Sequence, residues 1–132
     1  MAEPLLKPAS HPGGLRLLVV EDEVMISALV EDMLTELGHS VVGLATSVDE
    51  AAGLAAGAEF DVALLDVNLQ GETIEGVAAT LARRGKPFVF TTGYGERAIP
   101  PAFKDRPLLP KPYHIEQLSE ILAQVGAAPR KA

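Results

Sequence analysis

The chain has no cysteine, which excludes disulfides, thiol nucleophiles and thiolate metal sites. Histidine is sparse: His11, His39 and His114 are scattered and lack ligand spacing, so no histidine metal site is expected. Positive charge is scarce as well. Lys and Arg number 11 against 18 Asp and Glu, a formal net charge of −7. Phosphate recognition along a nucleic acid needs a basic patch. "ARR" at 82–84 and "PRKA" at the end are too small to provide one, and read as a helix C-terminus and a solvated tail. No nucleic-acid partner is expected. No apolar run approaches the roughly 18 residues of a membrane span, so no membrane partner is expected either. The opening "MAEPLLKPASHPGG" lacks the continuous apolar centre of a signal peptide. Residues 1–14 therefore read as a flexible arm of a cytoplasmic protein.

What is present is apolar. Hydrophobic residues make up 48% of 132 residues, enough for a core and suited to one domain. "LRLLVV" at 15–20 reads as a strand buried on both faces. Met25, Ile26, Leu29, Val30, Met33, Leu34 and Leu37 then follow helical spacing, with Gly38 suited to the cap. "SVVGLA" at 40–45 predicts a second strand. Ser47 with Glu50 predicts a capping box for a second helix, ended by Gly57. "DVALLD" at 61–66 is a third strand, followed by a polar loop from Val67 to Glu72. Ile74, Val77, Ala78 and Leu81 mark a third helix that stops near Gly85. "PFVFTT" at 87–92 and "PLLP" at 107–110 complete five strands. Ile115, Leu118, Ile121, Leu122 and Val125 give a last helix closed by Gly126, and 127–132 reads as a tail. Strand and helix alternate, which argues for a parallel sheet with helices on both faces. One unit is irregular: Pro100 and Pro101 deny the segment after the fourth strand a full helix, so a fourth helix is expected to be short or disordered. There is no internal repeat and no sign of a second domain.

The strand ends carry the chemistry. "LLVVEDE" at 17–23 stops an aliphatic run with three acids. Two like charges at roughly 4 Å repel by about 1 kcal/mol in water and about 4 at an effective dielectric of 20. In open parallel sheets, ligands bind beyond the carboxyl ends of the strands. There this chain puts Glu21 and Asp22, then Asp66, then Thr91 and Thr92, and finally Lys111 between Pro110 and Pro112. Each residue alone has a plain structural reading as a helix cap, a β-former or a surface charge. Together they suggest a hard cation such as Mg²⁺ shared by carboxylates, with a phosphoryl group as third party. A carboxylate can act as nucleophile and form an aspartyl phosphate, while metal and lysine stabilise the transferring charge. Glu23 reads as a first-turn helix acid.

The motifs "LLVVEDE", "ALLDVNL", "PFVFTTGYG" and "LPKPY" stand in the order and spacing of the receiver domain of two-component response regulators, which residues 15–126 resemble. The resemblance implies a flavodoxin-like (CheY-like), doubly wound five-stranded parallel sheet of order 2-1-3-4-5. It implies Asp66 as phosphoacceptor, Asp22 as direct Mg²⁺ ligand, Glu21 acting largely through water, and Asn68 through its main-chain carbonyl. Thr92 and Lys111 would contact the phosphoryl group, and the bond before Pro112 would be cis. "PFVFTTGY" is similar to a subgroup with Pro-Phe-x-Phe-Ala-Thr-Gly-Tyr, often stand-alone receivers that work with histidine kinases of the HWE or related type. The implied protein is a phosphoacceptor rather than an enzyme, served by a histidine kinase or phosphotransfer protein. "AAPRKA" alone follows the last helix, so no output domain is expected and signalling would pass by protein contact, relay or phosphate sink. Three positions depart from the family pattern: Gln70 where proline is common, Leu108 where an aromatic switch is usual, and the broken fourth helix. Residues 93–105, with Tyr94, are accordingly expected to become ordered on phosphorylation, and the partner surface to lie there and near Ile115, Gln117 and Leu118.

Other functions are less well served by these residues. An aspartate-nucleophile phosphatase of the haloacid-dehalogenase kind wants a second aspartate two residues on, where Asn68 stands. A degenerate, phosphorylation-independent binding module would not need Asp66 or Lys111. A flavin site would need a phosphate-cradling loop after the first strand, which is missing.

Overall fold

The computed structural model of the chain describes residues 14–93 and 99–127. The expectations for residues 1–13, for Tyr94 within 94–98, and for 128–132 lie outside the described residues.

Five strands form one parallel sheet: β1 (Arg16–Val20), β2 (Ser40–Ala45), β3 (Val62–Asp66), β6 (Phe88–Thr92) and β7 (Leu108–Pro110). Their spatial order is β2-β1-β3-β6-β7, the predicted 2-1-3-4-5 when sheet strands alone are counted. Alternation along each strand builds the two layers. Leu18, Val20, Ala63, Leu65, Phe88 and Phe90 point into one core, which α2 (Val48–Gly57) and α3 (Glu75–Arg83) cover with Ala51, Ala55, Val77 and Leu81. Leu17, Val19, Val62, Leu64 and Val89 point to the other, covered by Val30 and Leu34 of α1 (Val24–Glu36) and by Leu118 and Leu122 of α4 (Ile115–Ala127). Burying one such aliphatic side chain contributes roughly 1.5–3 kcal/mol, so each layer has several independent anchors.

Glycine ends two helices as expected. Gly38 (φ 90°) and Gly85 (φ 72°) take the left-handed region after α1 and α3. Beyond them, His39 N–H donates to the Leu34 carbonyl at 2.8 Å and Lys86 N–H to that of Leu81 at 3.0 Å. This is the paired closing pattern that satisfies last-turn carbonyls. The cap of α2 is close to prediction: Ser47 Oγ accepts from Glu50 N–H at 3.2 Å. The Glu50 carboxylate reaches one residue further back than a capping box requires, accepting from Thr46 N–H at 2.8 Å and Thr46 Oγ1 at 2.9 Å.

The structure corrects four expectations. Met25, counted in the apolar stripe of α1, is 85% exposed, and Leu29 is exposed to a lesser degree; the buried stripe is Ser27, Val30 and Leu34. Gly126 does not close α4, which runs to Ala127. Leu118 is fully buried beneath α4, so it cannot belong to a partner surface, whereas Gln117 is exposed. The polar loop after β3 is a short antiparallel hairpin, β4 (Asn68–Leu69) and β5 (Glu72–Thr73). Between β6 and β7 the described residues hold a single 3-10 turn, Pro101–Phe103, in place of a full helix. It is anchored by the buried Ile99 and by the Phe103 ring edge-on to Phe88 at 5.8 Å.

Candidate functional site

The sheet delivers its charges to one edge. Glu21 and Asp22 follow β1, and Glu21 N–H donates to the Ala45 carbonyl at 2.9 Å, carrying the β1–β2 ladder one residue past the strand. Asp66 closes β3, paired with Thr91 of β6. Lys111 follows β7, where its own N–H donates to the Thr92 carbonyl at 2.9 Å. The Lys111–Pro112 bond is cis, as the resemblance implied.

These backbones bring four side chains together. Lys111 Nζ lies 2.9 Å from Glu21 Oε1 and 3.2 Å from Asp66 Oδ2. Carboxylate oxygens of Glu21, Asp22 and Asp66 all lie within 4.8 Å of one another. Glu21 is 1% exposed and Asp66 is buried, whereas Asp22 is partly open. Asn68 N–H donates to Asp66 Oδ1 at 3.1 Å, so both oxygens of Asp66 are engaged. Thr92 is buried at the end of β6 and does not itself line the cavity, although Gly93 beyond it does. The cavity has a volume of about 430 Å³, and Asp22, Asp66, Asn68, Gln70, Gly71 and Lys111 form much of its wall.

Electrostatics follow from burial and charge count. Burial pushes the Glu21 carboxyl above its usual range and neighbouring Asp66 pushes the same way; the Lys111 ammonium opposes both. Burial alone would lower the Lys111 ammonium, but Glu21 and Asp66 together outweigh it and hold the group charged above its usual range. Tyr113, packed beneath this edge, has its phenol pushed up to about 12 by burial, against a weaker opposite pull from the Thr91 hydroxyl. One ammonium thus faces three carboxylates. The donors are all oxygens, hard ligands without competing imidazole or thiolate, and the deficit is negative. Such a set fits a small divalent cation that retains several waters.

Sequence reasoning had named Glu21, Asp22, Asp66, Asn68, Thr92 and Lys111. It missed the direct Glu21–Lys111 pair, and it missed Gln70 as a wall residue held by Asp22. Its N–H donates to Asp22 Oδ2 at 3.1 Å and its Nε2 to the Thr46 carbonyl at 3.2 Å. Gln70-Gly71 was the available signal, but glutamine is a poor marker for a turn that needs positive φ.

The sequence profile described as the response regulator receiver domain matches residues 17–123. The chain belongs to that family. The receiver domain is similar to the transcriptional regulatory protein TcrA of Mycobacterium tuberculosis H37Rv, with 34% identity over 125 residues, 89% of this chain and 49% of TcrA. It is similar to the phyllosphere-induced regulator PhyR of Methylorubrum extorquens AM1, with 29% identity over 116 residues, 82% of this chain and 42% of PhyR. Thus the chain spans about half the length of the curated relatives it matches. Among solved structures, SdrG of Sphingomonas melonis Fr1 superposes with a TM-score of 0.77 at 37% identity, covering 87% of this receiver domain and 98% of that chain. Receiver domains belong to two-component signalling; they are phosphoacceptors, bind Mg²⁺ at an acidic pocket and interact with histidine kinases or phosphotransfer proteins. No described helix of this receiver domain is long and apolar enough to cross a membrane.

Proposed function

We propose that this receiver domain takes a phosphoryl group onto Asp66 from a phosphohistidine of a sensor kinase or phosphotransfer protein, and signals by protein contact, relay or phosphate sink. The observation that carries this reading is Lys111 Nζ bridging Glu21 and Asp66 at the wall of an open acidic cavity. An Asp66 carboxylate oxygen attacks phosphorus, the P–N bond to the donor imidazole breaks, and the imidazole leaves with its electron pair. Lys111 supplies positive charge at the phosphoryl oxygens, and Thr92 a hydroxyl at the end of β6. Glu21 holds Lys111 from below, so the ammonium stays aimed at the cavity when Asp66 gives up its charge. Asp22, Asp66 and the Asn68 carbonyl would hold Mg²⁺, with Glu21 acting through water. When bound, the cation neutralises charge on the transferring phosphoryl.

The donor must dock beside the cavity. Val24 and Met25, exposed apolar residues on the first turn of α1, adjoin Glu23 on the cavity wall and suit an apolar contact there. Residues 15–126 constitute the receiver unit in this reading, and the profile match over 17–123 supports those bounds. "PFVFTTGY" supports membership of the Pro-Phe-x-Phe subgroup and, with it, kinases of the HWE or related type. The reaction is assigned to the cytoplasm, where ATP-charged phosphohistidine donors are made. Incubation with Mg²⁺ and acetyl phosphate followed by intact-mass measurement tests the reading: wild type gains one phosphoryl and Asp66→Asn gains none. Wild type that gains nothing, or Asp66→Asn that gains an acid-labile phosphoryl, would refute it.

A further inference from the structure

Gln70 is a junction that the transfer step does not use. It takes the first central place of the two-residue turn between β4 and β5, followed by Gly71, and both have positive φ, 54° and 79°. Side chains disfavour that region, and Gly, Asn or Asp are the usual occupants of such a turn. A glutamine there is strained relative to those residues, yet its length has a use. Its backbone N–H holds Asp22 Oδ2 beyond β1, and its side-chain amide holds the Thr46 carbonyl beyond β2. The base of the same hairpin is tied to β3 through Asn68 N–H and Asp66 Oδ1. The hairpin is thus fastened to three strand ends around the cavity. Its tip has little other packing, since a β-carbon on Gly71 would meet nothing within 4 Å. Asparagine in place of Gln70 would suit the turn but, one methylene shorter, would not reach Thr46.

We propose that Gln70 is a positioning residue: it steadies Asp22 and straps the hairpin tip over the cavity, so that water reaches the aspartyl phosphate slowly. This rests on the reading of Asp66 as phosphoacceptor. In the step it restrains, a water oxygen bonds to phosphorus and the P–O bond to Asp66 breaks. The carboxylate re-forms, and inorganic phosphate leaves while a proton passes to solvent. The Gln70 N–H uses one Asp22 oxygen and leaves the other for a cation.

The test uses the full chain as wild type, Gln70→Asn and Gln70→Gly. Both replacements suit positive φ, so each variant should melt no lower than wild type. Without donor or metal, amide hydrogen exchange over residues 68–73 should be faster in both. After loading with acetyl phosphate and Mg²⁺ and removal of the donor, the acyl-phosphate lifetime should fall about threefold to tenfold, the population change expected from losing one hydrogen bond. A merely structural role would lower the melting temperature and leave the lifetime unchanged. Wild type that loads normally while both variants match its lifetime overturns the strap and leaves Asp66 in its role, whatever the exchange shows. Wild type that does not load overturns both.

Discussion

The strands β1 and β3 carry charge at both ends, and the two ends behave differently. At the amino end, Arg16 and Asp61 form a two-pronged pair at 3.0 and 3.2 Å, and Arg16 N–H adds a third contact to the same carboxylate at 2.7 Å. One cation meets one anion, and the hydrogen bond to Asp61 raises the already high Arg16 pKa. Half of the Arg16 side chain is in water. At the carboxyl end the distances are nearly the same, 2.9 and 3.2 Å, but one Lys111 serves both Glu21 and Asp66 with Asp22 beside them, and Lys111, Glu21 and Asp66 are mostly shielded from water. A distance near 3 Å therefore says little about function. What differs is stoichiometry and burial: the amino end is electrically complete, and the carboxyl end is left wanting positive charge next to a cavity.

The sharpest way to break the comparison is Asp66→Asn, which should abolish phosphorylation outright, read by intact mass, while Mg²⁺ affinity falls and the fold persists. Lys111→Ala comes next. It leaves two buried carboxylates without their cation, a destabilisation of about 1–3 kcal/mol measured by urea unfolding, below the figure for fully enclosed pairs because the cavity admits water. Phosphorylation should slow sharply, and Mg²⁺ should recover part of the lost stability because it binds the folded state alone. A Lys111→Ala protein with wild-type stability and loading rate would make the two ends equivalent after all. Asp22→Asn should weaken Mg²⁺ by about tenfold or more, given that even outer-sphere partners are worth that much. Glu21→Gln should weaken it less, because Glu21 faces Lys111 rather than the cavity; calorimetric titration orders the two. The smallest effect belongs to Arg16→Ala, which should change neither loading nor Mg²⁺ affinity and should shift the melting temperature only slightly, as for most exposed ion pairs.

The five sheet strands lie within one residue of where their apolar runs place them, because a strand buried on both faces has a plain signature: aliphatic residues bounded by turn formers. The helix ends at Gly38 and Gly85 were equally plain, since positive φ selects glycine. The face of α1 was harder to read. Met25 and Leu29 share helical spacing with Val30 and Leu34, and periodicity cannot tell a covered stripe from its exposed flank. The hairpin at 68–73 stayed hidden because Gln70 breaks the residue preference of its own turn. At the site, the acids and Lys111 were legible one strand end at a time. Their grouping needed the strand order, which the resemblance to receiver domains implied and the alternation of elements alone did not. The buried position of Thr92 and the direct grip of Glu21 on Lys111 depend on side-chain depth, which no spacing encodes.

One detail of β3 has a mechanical consequence. Asp66 is in register with Thr91, and Val67 N–H donates to the Thr91 carbonyl at 3.1 Å, so the ladder grips the main chain on both sides of Asp66. On its other flank β3 is laced to β1 as far as Leu65. The α-carbon that carries the carboxylate is thus a fixed post at the end of a central strand in a densely packed sheet. Volume and charge added to its tip cannot be absorbed by recoil of the strand. They would push outward on what surrounds the post at the cavity wall: the Lys111 side chain, the hairpin tip and Gly93. If Asp66 takes the phosphoryl group as proposed, stiffness at the anchor would turn a local chemical change into displacement of the loops, the parts of the fold that another protein can touch.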